Sequence, residues 1–496
     1  MVPKGATTNG PRQTATLSRL SDFAGCDHTA GHFAVAGAAM VEFPLKIELS
    51  KDLKLIDIPQ RVRAELIDNL TLANPKWIEN VRMKRWNRNV PKTLRFFHRY
   101  KDTYWIPRGY LRQLILMCRR HHVDYQLEDR RRELPPAEFH FQGHLKPFQK
   151  QAVEKMLDRD FGTLNAPTGS GKTVMALYML AQRRQPALIV MHTKELAFQW
   201  IEQIRRFLDV DASQIGLVGA GKKQIGRLVT VALVQSLYRC ADVVSTKIGH
   251  LIVDECHRTP SRTFTEAVTE FDARFMLGLS ATPFRRDNLS KLIFWHLGDI
   301  HHSIDPKDLI KNGHILKAEI VLRKTDFMPY HDPISDYSKM LLELTTDDDR
   351  NRLIAEDVFQ ETQNHDGMCL VLSDRKRHCE TLQALLRFKH HLKAALLTGE
   401  LSVDQRQAVL SCVKSGAVPV LIATGQLIGE GFDCPHLTSL FLATPIRFSG
   451  RLQQYLGRIL RPSAHKRQPR VYDYIDEKVG VLQSAAKHRQ RIYRMQ

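Results

Sequence analysis

The sequence contains no run of about 18 apolar residues, the length that a membrane-spanning helix requires, so nothing in it predicts an integral membrane protein. Its eight cysteines are scattered, with no Cys-x-x-Cys pair and no zinc-ligand spacing, which argues against a disulfide scaffold or a zinc protein. Acidic residues are outnumbered, because 53 Asp and Glu stand against 73 Lys and Arg, a formal net charge of +20. We therefore predict a cytoplasmic protein with reduced thiols and a polyanionic partner, for which nucleic acid is favoured.

The positive charge is concentrated near the N-terminus. Residues 1–39 are rich in Ala, Thr and Gly and are predicted to be a disordered extension. Residues 40–138 have the pattern of a small α+β domain. Between Arg82 and Arg132 this domain carries 15 Lys or Arg but only four acidic residues. Because such cations contact phosphates, we interpret this domain as a nucleic-acid-recognition domain.

Seven aromatic residues are interleaved with these charges. They are Trp86, Phe96, Phe97, Tyr100, Tyr104, Trp105 and Tyr110. Aromatic rings in a basic surface can stack on bases or wedge a strand junction, but the core of a small domain also consists largely of such rings. For most of the seven we predict a core position, with the charges forming the outer face.

A phosphate-binding loop is predicted at Ala166–Thr173, with the sequence APTGSGKT. It follows a short apolar run, Phe161–Leu164, and precedes a helical pattern. In this context backbone N–H groups and the positive end of a helix bind a polyphosphate, Lys172 reaches the terminal phosphates and the Thr173 hydroxyl binds Mg²⁺. Ala166 stands where the usual pattern has its first glycine.

Apolar strands alternate with helices from residue 161 to about residue 300, which predicts a parallel sheet covered on both faces. The strands are predicted at Ala187–Met191, Val229–Leu233, His250–Val253 and Phe275–Leu279. Asp254 and Glu255 follow the third of them. At a strand end one carboxylate can hold Mg²⁺ through water, as predicted for Asp254, and its neighbour can deprotonate an attacking water, as predicted for Glu255.

A second alternating block, at residues 306–476, has no phosphate loop. Its strands are predicted at Met368–Leu372, Leu392–Leu397, Val418–Ala423, Ser439–Leu442 and Arg470–Ile475. A helical pattern places Arg458 and Arg461 at i and i+3, on one face of a helix. Two such arginines are suited to stabilise charge in phosphoryl transfer. The alternative is a surface ion-pair helix or a nucleic-acid-binding helix.

The predicted fold class is therefore α/β, with two tandem parallel-sheet domains at residues 139–305 and 306–476. The small basic α+β domain precedes them. Residues 477–496 read as a basic C-terminal helix that either touches DNA or is solvated. Just ahead of the phosphate loop, Gln149 ends a Leu-x-Pro-Phe-Gln segment, and its amide can read the edge of adenine.

Together these motifs resemble those of the superfamily-2 helicases, over roughly residues 140–476. The matching segments are APTGSGKT (166–173), HTKELAFQW (192–200), DECH (254–257), SAT (280–282), ATGQLIGEGFD (423–433) and QYLGRILR (454–461). The chain looks most similar to xeroderma-pigmentosum-B-type, phage branch-migration and restriction-type helicases, because it has the Gln149 segment and an Arg-Arg-Asp run after SAT. The pigmentosum-B type has Arg-Glu-Asp there, so Arg286 departs from its pattern. The resemblance implies two RecA-like domains.

The resemblance also implies roles for individual residues. Catalysis would fall to Lys172, Asp254, Glu255, Arg458 and Arg461. ATP would be bound by Gln149, Thr168, Gly169, Ser170, Gly171, Lys172, Thr173, Gly431, Asp433 and Gln454, and Mg²⁺ by Thr173 and Asp254. Hydrolysis would be coupled to domain closure by His257, Ser280 and Thr282. Nucleic acid would lie near His192, Thr193, Glu195, Gln235, Ser373, Arg375 and Thr424. For the residues around Thr193 and Gln235, helix capping and core packing are the alternative.

The predicted function is an ATP-dependent DNA helicase or translocase acting in repair, recombination or branch migration, with 3′-to-5′ stepping implied by the relatives. Its predicted partner is DNA that is double-stranded, forked, branched or single-stranded. An RNA helicase is an alternative, which the DECH sequence disfavours. A motor subunit of a restriction or defence complex is another, and it would need a nuclease partner because this chain shows no nuclease motif. A non-catalytic DNA-binding subunit is disfavoured because Lys172, Glu255, Arg458 and Arg461 are all present.

Overall fold

The computed structural model describes residues 44–258, 261–281, 290–365, 367–428, 434, 436–446, 449–462 and 468–494. Three large sheets organise these residues, and a two-stranded sheet accompanies them. We call the part built on the five-stranded sheet the front module, the part built on the eight-stranded sheet the first lobe, and the part built on the six-stranded sheet the second lobe. Within the described ranges no helix is long and apolar enough to cross a bilayer. The extension predicted at residues 1–39 lies outside the described residues.

The front module is a mixed sheet with three α-helices among its described residues. Its elements are β1 Leu45–Leu49, β2 Asp52–Ile56, α1 Gln60–Asn69, β3 Thr71–Ala73, α2 Pro75–Arg82, β4 Thr93–Arg95, β5 His98–Tyr100, β6 Thr103–Pro107, α3 Leu111–Arg120 and β7 Tyr125–Asp129. The strand order is β5-β6-β2-β1-β7, with β1 and β7 parallel and the other pairs antiparallel. Alternate residues of β2 are buried, as expected for a sheet with one face on the core.

The aromatic residues of the front module divide into two groups. Tyr104 and Tyr110 are buried in the core, and Phe96 and Phe97 pack against it, so most of the seven do belong to the core. Trp105 is partly buried on the other face of β6. Trp86 and Tyr100 are the most exposed, with exposed fractions of 88% and 63%. These two rings lie on the basic outer surface of the module.

The first lobe is a nearly all-parallel sheet covered by helices. Its strands are β8 Phe161–Asn165, β9 Ala187–Met191, β10 Ile215–Gly219, β11 Lys222–Lys223, β12 Val229–Leu233, β13 His250–Val253, β14 Phe275–Ser280 and β15 Ile300–Ser303. Its helices are α4 Pro147–Leu157, α5 Lys172–Arg183, α6 Lys194–Leu208, α7 Val234–Leu237, α8 Ala241–Ser245, α9 Ser261–Val268, α10 Ser290–Leu297 and α11 Pro306–Lys311. The strand order is β11-β10-β12-β9-β13-β14-β8-β15, and only the β10–β11 hairpin is antiparallel. The central strands are buried along their whole length, which is typical of sheets with helices on both faces.

The second lobe repeats this architecture with a fully parallel sheet. Its elements are β16 Glu319–Thr325, α12 Tyr337–Thr346, α13 Asp348–Asn364, β17 Met368–Ser373, α14 Lys376–His390, β18 Ala394–Leu397, α15 Val403–Lys414, β19 Val420–Thr424, α16 Gly425–Ile428, β20 Leu437–Leu442, α17 Ser449–Ile459, β21 Arg470–Asp476 and α18 Gly480–Arg494. The strand order is β16-β21-β20-β17-β19-β18. The two lobes are the tandem α/β motor domains that the sequence predicts.

A buried seam joins the front module to the first lobe. Arg131, which follows β7, has a side chain exposed by only 1% and pairs with Asp129 at 2.6 Å and Asp160 at 2.8 Å. Arg108 is also buried and donates to the Phe271 carbonyl at 3.3 Å, and burial lowers the pKa of its guanidinium to about 9. One apolar cluster contains core residues of both parts. The module is therefore packed onto the first lobe as a continuation of it.

The C-terminal helix α18 is part of the second lobe. Arg489 is buried and pairs with Asp473 of β21 at 2.7 Å, and Tyr493 donates to the same carboxylate at 2.9 Å. Leu482 and Ile492 are buried on its apolar side. The sequence predicts a basic helix that is solvated or touches DNA. Its most enclosed cation instead serves a structural ion pair, since the acidic partner lies on a strand that the sequence places in the core.

Candidate active site

The loop Ala166–Gly171 connects β8 to α5. Gly169 and Gly171 have φ angles of +90° and +84°, a region that residues with a Cβ rarely adopt. At Gly171 a Cβ would also lie 2.4 Å from the amide nitrogen of Gln149. The two glycines therefore turn the loop so that α5 begins directly after it, which is the geometry of an anion-binding helix N-terminus.

Gln149 is buried under this loop. Its amide oxygen accepts from the Lys146 backbone N–H at 2.9 Å, and its amide nitrogen donates to the Ser170 carbonyl at 2.8 Å. The first contact closes a capping box at the start of α4. In this geometry Gln149 holds the phosphate loop against α4, and its contact with adenine stays a prediction.

Lys172, the first residue of α5, points back over the loop. Its ammonium donates to the Ala166 carbonyl at 3.2 Å and lies 3.6 Å from a carboxylate oxygen of Glu255. The next residue, Thr173, lines a cavity that it shares with Asp254. The loop, its lysine and the acidic pair therefore meet at one edge of the sheet, where the carboxyl ends of β8 and β13 lie.

Asp254 follows β13 and is held by two hydrogen bonds. The Trp200 indole N–H donates to one oxygen at 2.8 Å, and the Glu255 backbone N–H donates to the other at 2.9 Å. Burial, followed by the charge of Glu255, raises the pKa of Asp254 to about 6, and a bound cation would oppose that rise. Trp200 belongs to a motif that the sequence identifies, but its contact with Asp254 could not be seen there because 54 residues separate the two.

Glu255 stands in the left-handed region, with a φ of +45°. Its second carboxylate oxygen lies 3.3 Å from Nδ1 of His257, and this nitrogen is also 2.9 Å from the Ser280 hydroxyl. Lys172, Glu255, His257 and Ser280 therefore form one continuous polar chain. It runs from the phosphate loop to the end of β14, where Thr282 of the predicted coupling set lies outside the described residues.

The second lobe contributes two arginines to the same cavity. It has a volume of about 690 Å³ and is lined by Arg458 and Arg461 together with Thr173 and Asp254. The sequence predicts both arginines on one helix, but α17 ends at Ile459, and Arg461 therefore lies beyond its end. Pro462 follows, and the residue before a proline is disfavoured in the helical region. Both arginines nevertheless reach the shared cavity.

The two lobes approach closely beside this cavity. A Cβ at Gly457 would lie 2.2 Å from the Thr168 Cβ, so only glycine fits where α17 meets the phosphate loop. Gln454 is buried in the same helix. Gly431 and Asp433, the remaining predicted cleft residues, lie outside the described residues. Two further cations, Arg206 of α6 and Lys414 of α15, also line the cavity. The sequence did not indicate them, because neither belongs to a motif.

The predicted nucleic-acid residues of the first lobe lie at the carboxyl ends of β9 and β12. The Thr193 hydroxyl caps α6 by accepting from the Leu196 N–H at 3.4 Å. Helix capping is the alternative role that the sequence also allows for this residue. Gln235 is exposed, and its amide lies 3.5 Å from the His192 carbonyl. His192 and Gln235 thus share one edge of the sheet.

The corresponding residues of the second lobe lie at the ends of neighbouring strands. Ser373 of β17 is paired in register with Thr424 of β19. The Ser373 hydroxyl is buried and lies 2.9 Å from Nδ1 of His378, so it is enclosed in contacts within the lobe. Arg375 is partly exposed and donates to the Ser338 hydroxyl at 3.3 Å. Of this set, Arg375 and Thr424 are the side chains better placed to meet a ligand.

Two family models match the chain. Residues 142–285 match a model described as "Type III restriction enzyme, res subunit", and residues 350–463 match the "Helicase conserved C-terminal domain". They cover the phosphate loop, the acidic pair and the arginine helix. The chain belongs to the superfamily-2 helicases, and its two lobes are RecA-like domains. It is accordingly an ATP-dependent helicase that acts on nucleic acid.

The individual proteins that match this chain have low sequence identity to it. A putative ATP-dependent RNA helicase of Acanthamoeba polyphaga mimivirus is 26% identical over 377 residues, which are 73% of this chain and 70% of that protein. A DNA 3′-5′ translocase, XPB2, of Sulfurisphaera tokodaii is 27% identical over 352 residues, 64% of this chain and 78% of that protein. A fragment structure of a putative HsdR subunit of a type I restriction enzyme from Vibrio vulnificus YJ016 has a TM-score of 0.54 at 18% identity. The match covers 70% of this chain and 66% of that one, and it shows the fold alone.

Proposed function

We propose that the protein is a DNA helicase or translocase that steps 3′ to 5′ and acts on duplex, forked or branched DNA in repair, recombination or branch migration. One observation carries the proposal: Arg458 and Arg461 of the second lobe line the same cavity as Thr173 and Asp254 of the first. A nucleotide in that cavity would contact both lobes at once. The basic front module and the relative described as a DNA 3′-5′ translocase support the choice of DNA.

The residues present fit a magnesium nucleotide. The phosphate loop and Lys172 would bind the β- and γ-phosphates, while Thr173 and Asp254 would hold Mg²⁺, which neutralises phosphate charge. The two hydrogen bonds that orient Asp254 support a ligand role, because they fix its carboxylate without neutralising it. Glu255 would accept a proton from the attacking water, and Arg458 and Arg461 would stabilise the charge that develops on the transferred phosphoryl group.

Hydrolysis would produce movement because it changes the contact between the two lobes. With the triphosphate bound, anionic oxygens bridge the phosphate loop and the two arginines, which favours closure. When the bond to the γ-phosphate is broken, that bridge is lost and the lobes separate. The polar chain from Lys172 through Glu255 and His257 to Ser280 is the route we propose for coupling this event to the end of β14. Alternating grip on the backbone near His192 and Arg375 would then give directional stepping.

The direct test is a nucleic-acid-stimulated ATPase assay with the full chain. We expect stimulation by forked and duplex DNA to exceed stimulation by RNA, and Lys172→Ala to abolish it. The control is Lys150→Ala, a change in an exposed side chain of the neighbouring helix α4. A substrate with streptavidin at one 3′ or 5′ end would report polarity. A Lys172→Ala protein with wild-type ATPase activity, or stimulation by RNA alone, would contradict the proposal.

A second candidate is the motor subunit of a restriction or defence complex. The match of residues 142–285 to a restriction-subunit model favours it. In that case the motor chemistry is the same, but cleavage requires a partner with nuclease activity. Affinity purification of the chain from its native host, followed by a nuclease assay on the recovered complex, distinguishes the two candidates.

A further inference from the structure

An excursion of the front module carries an unusual surface. Residues 74–92, which we call the tip, leave the module between β3 and β4 and include helix α2. The two strands pair in antiparallel register, with Leu72 opposite Leu94, and so close the base of the tip. Phe96, just after β4, lies 5.3 Å from the ring of Trp295 in the first lobe. The base of the tip is therefore anchored to the motor.

The tip exposes apolar side chains instead of burying them. None of the residues of α2 is buried, although the helix has an apolar side. Ile78, Val81 and Met83 are each exposed by 50% or 51%, and Trp86 is exposed by 88%. A cluster of this kind on a soluble protein marks a surface that meets a ligand.

The tip is held in shape by asparagines, so the exposure of Trp86 does not come from a loose loop. The Asn74 side chain caps α2 by accepting from the Lys76 N–H at 3.0 Å, and it donates to the Pro91 carbonyl at 2.8 Å. Asn80 donates to Asn87 at 2.9 Å. These bonds tie both ends and the middle of the tip together and so hold the segment that carries Trp86.

Charge identifies the ligand. Between residues 75 and 101 there are nine Lys or Arg and a single acidic residue, Glu79. The cations nearest the apolar cluster in sequence are exposed, among them Arg82, Lys84, Arg85 and Arg88. Exposed apolar and aromatic side chains interspersed with exposed cations complement unstacked bases flanked by phosphates, because a ring can stack while the cations contact the backbone.

We propose that the tip is a strand-separating wedge, in which Trp86 stacks on the exposed base pair where duplex DNA divides into single strands. The proposal rests on the proposed motor function and deepens it by naming a duplex junction as the substrate of the front module. Ile78, Val81 and Met83 extend the apolar face behind the ring, and the neighbouring cations hold the two strands by their phosphates.

The seam makes such a wedge mechanically useful. Arg131 and Arg108 fix the module to the first lobe through buried contacts. The tip therefore stays in place relative to the first lobe while the second lobe moves. A translocating strand would then pull the junction against a fixed obstacle, and each step would press the duplex onto Trp86.

The test compares DNA unwinding with ATP hydrolysis in the full chain. We expect Trp86→Ala to lower the number of base pairs opened per ATP on a forked duplex by about tenfold, from the usual contribution of one base–aromatic stack. Trp86→Phe should retain most of the wild-type ratio, since a phenyl ring still stacks. Phe388→Ala is the matched control, because Phe388 is 73% exposed on the second lobe and its loss should leave the ratio unchanged.

A second measurement follows the junction directly. A fork carrying 2-aminopurine at the first paired position should change its fluorescence on binding the wild-type protein but not on binding Trp86→Ala. An unchanged unwinding ratio for Trp86→Ala would overturn the wedge, and so would an equal loss of affinity for single strands, blunt duplex and fork. Failure of the motor function itself is separate from both results, because it would appear as absent DNA-stimulated ATPase in the wild-type protein.

Discussion

The seam between the front module and the first lobe offers the sharpest stability prediction, the effect of Arg131→Met. Arg131 donates to the carboxylates of Asp129 and Asp160 and, at 3.0 Å, to the Arg274 carbonyl. Methionine preserves the length of the side chain but removes its charge and all donors. The change therefore leaves two carboxylates at the seam without their shared cation.

The expected loss of stability follows from the burial of the three groups. Removing one partner of a buried ion pair destabilises a protein by about 3–5 kcal/mol. Asp129 and Asp160 keep 33% and 17% of their side-chain surface exposed, and Arg274 lies 3.6 Å from Asp160 as a remaining cation. Water and Arg274 offset part of the loss, so we expect roughly 3 kcal/mol. For a unit of this size that corresponds to a fall of about 6–12 °C in the unfolding midpoint.

Tryptophan fluorescence isolates this part of the chain. All five tryptophans lie between Trp77 and Trp295, so the second lobe contributes none of the signal. Thermal unfolding followed by fluorescence therefore reports on the module and the first lobe. Arg130→Met is the matched control, because the neighbouring Arg130 side chain is 53% exposed, its pair with Glu128 lies at the surface, and its buried partner Glu48 keeps Lys54 at 3.2 Å. We expect that control to leave the midpoint nearly unchanged.

Two results would refute this reasoning. If Arg131→Met and Arg130→Met shift the midpoint equally, burial does not decide the strength of the seam. If the wild type and Arg131→Met both show two separate fluorescence transitions, the module and the first lobe unfold as independent units. In that case the fixed position of the tip, on which the wedge depends, is lost as well.

Two further predictions concern the second lobe. Gly457→Ala should lower DNA-stimulated ATPase activity on the order of 100-fold without unfolding the protein, because the new methyl group would lie 2.2 Å from Thr168 and displace α17 from the phosphate loop. Gly480→Ala, where nothing lies within 4 Å of the added carbon, is the control, and equal activity of the two variants contradicts the prediction. Burial, followed by the charge of Arg350, lowers the pKa of His378 from 6.5 to about 3. The unfolded chain therefore binds a proton that the folded chain does not, and stability falls as pH drops below about 6.5. Calorimetry should show a lower midpoint near pH 5.5 than near pH 7.5, with a smaller shift in His378→Gln. An equal shift in that variant would exclude His378 as the cause.

The motor strands were predictable because buried parallel strands are short, continuous apolar runs. Ala187–Met191, Val229–Leu233 and His250–Val253 have the predicted bounds. The first and third lie between polar or turn-forming residues, and predicted site residues follow closely at the carboxyl ends of all three. Sequence alone therefore indicates both the order of the strands along the chain and the edge of the sheet at which the chemistry lies.

Features that depend on distant partners were not predictable. Arg489 looks like a solvated cation in sequence, yet Asp473 on β21 makes it a core residue. The contact between Trp200 and Asp254 likewise depends on how α6 packs against the end of β13. Local pattern does not contain these long-range contacts, and only packing reveals them. Arg461 is a different case: its spacing from Arg458 fits one helix, but α17 ends two residues earlier, and Pro462 is a local signal for that end.

The character of the two interfaces determines which part of the molecule moves. The module meets the first lobe through enclosed charges, whose separation would leave ions in a poorly hydrated seam. Between the lobes, the ion pair of Arg406 with Glu195 spans 3.6 Å, and its side chains are 31% and 49% exposed, so water readily replaces it. Opening at the lobe interface breaks this solvated pair, but it also exposes apolar side chains, because one apolar cluster contains core residues of both lobes. A nucleotide that binds between Lys172 and Arg458 acts on that interface, so we expect the second lobe to be the moving part while the module and first lobe form the frame.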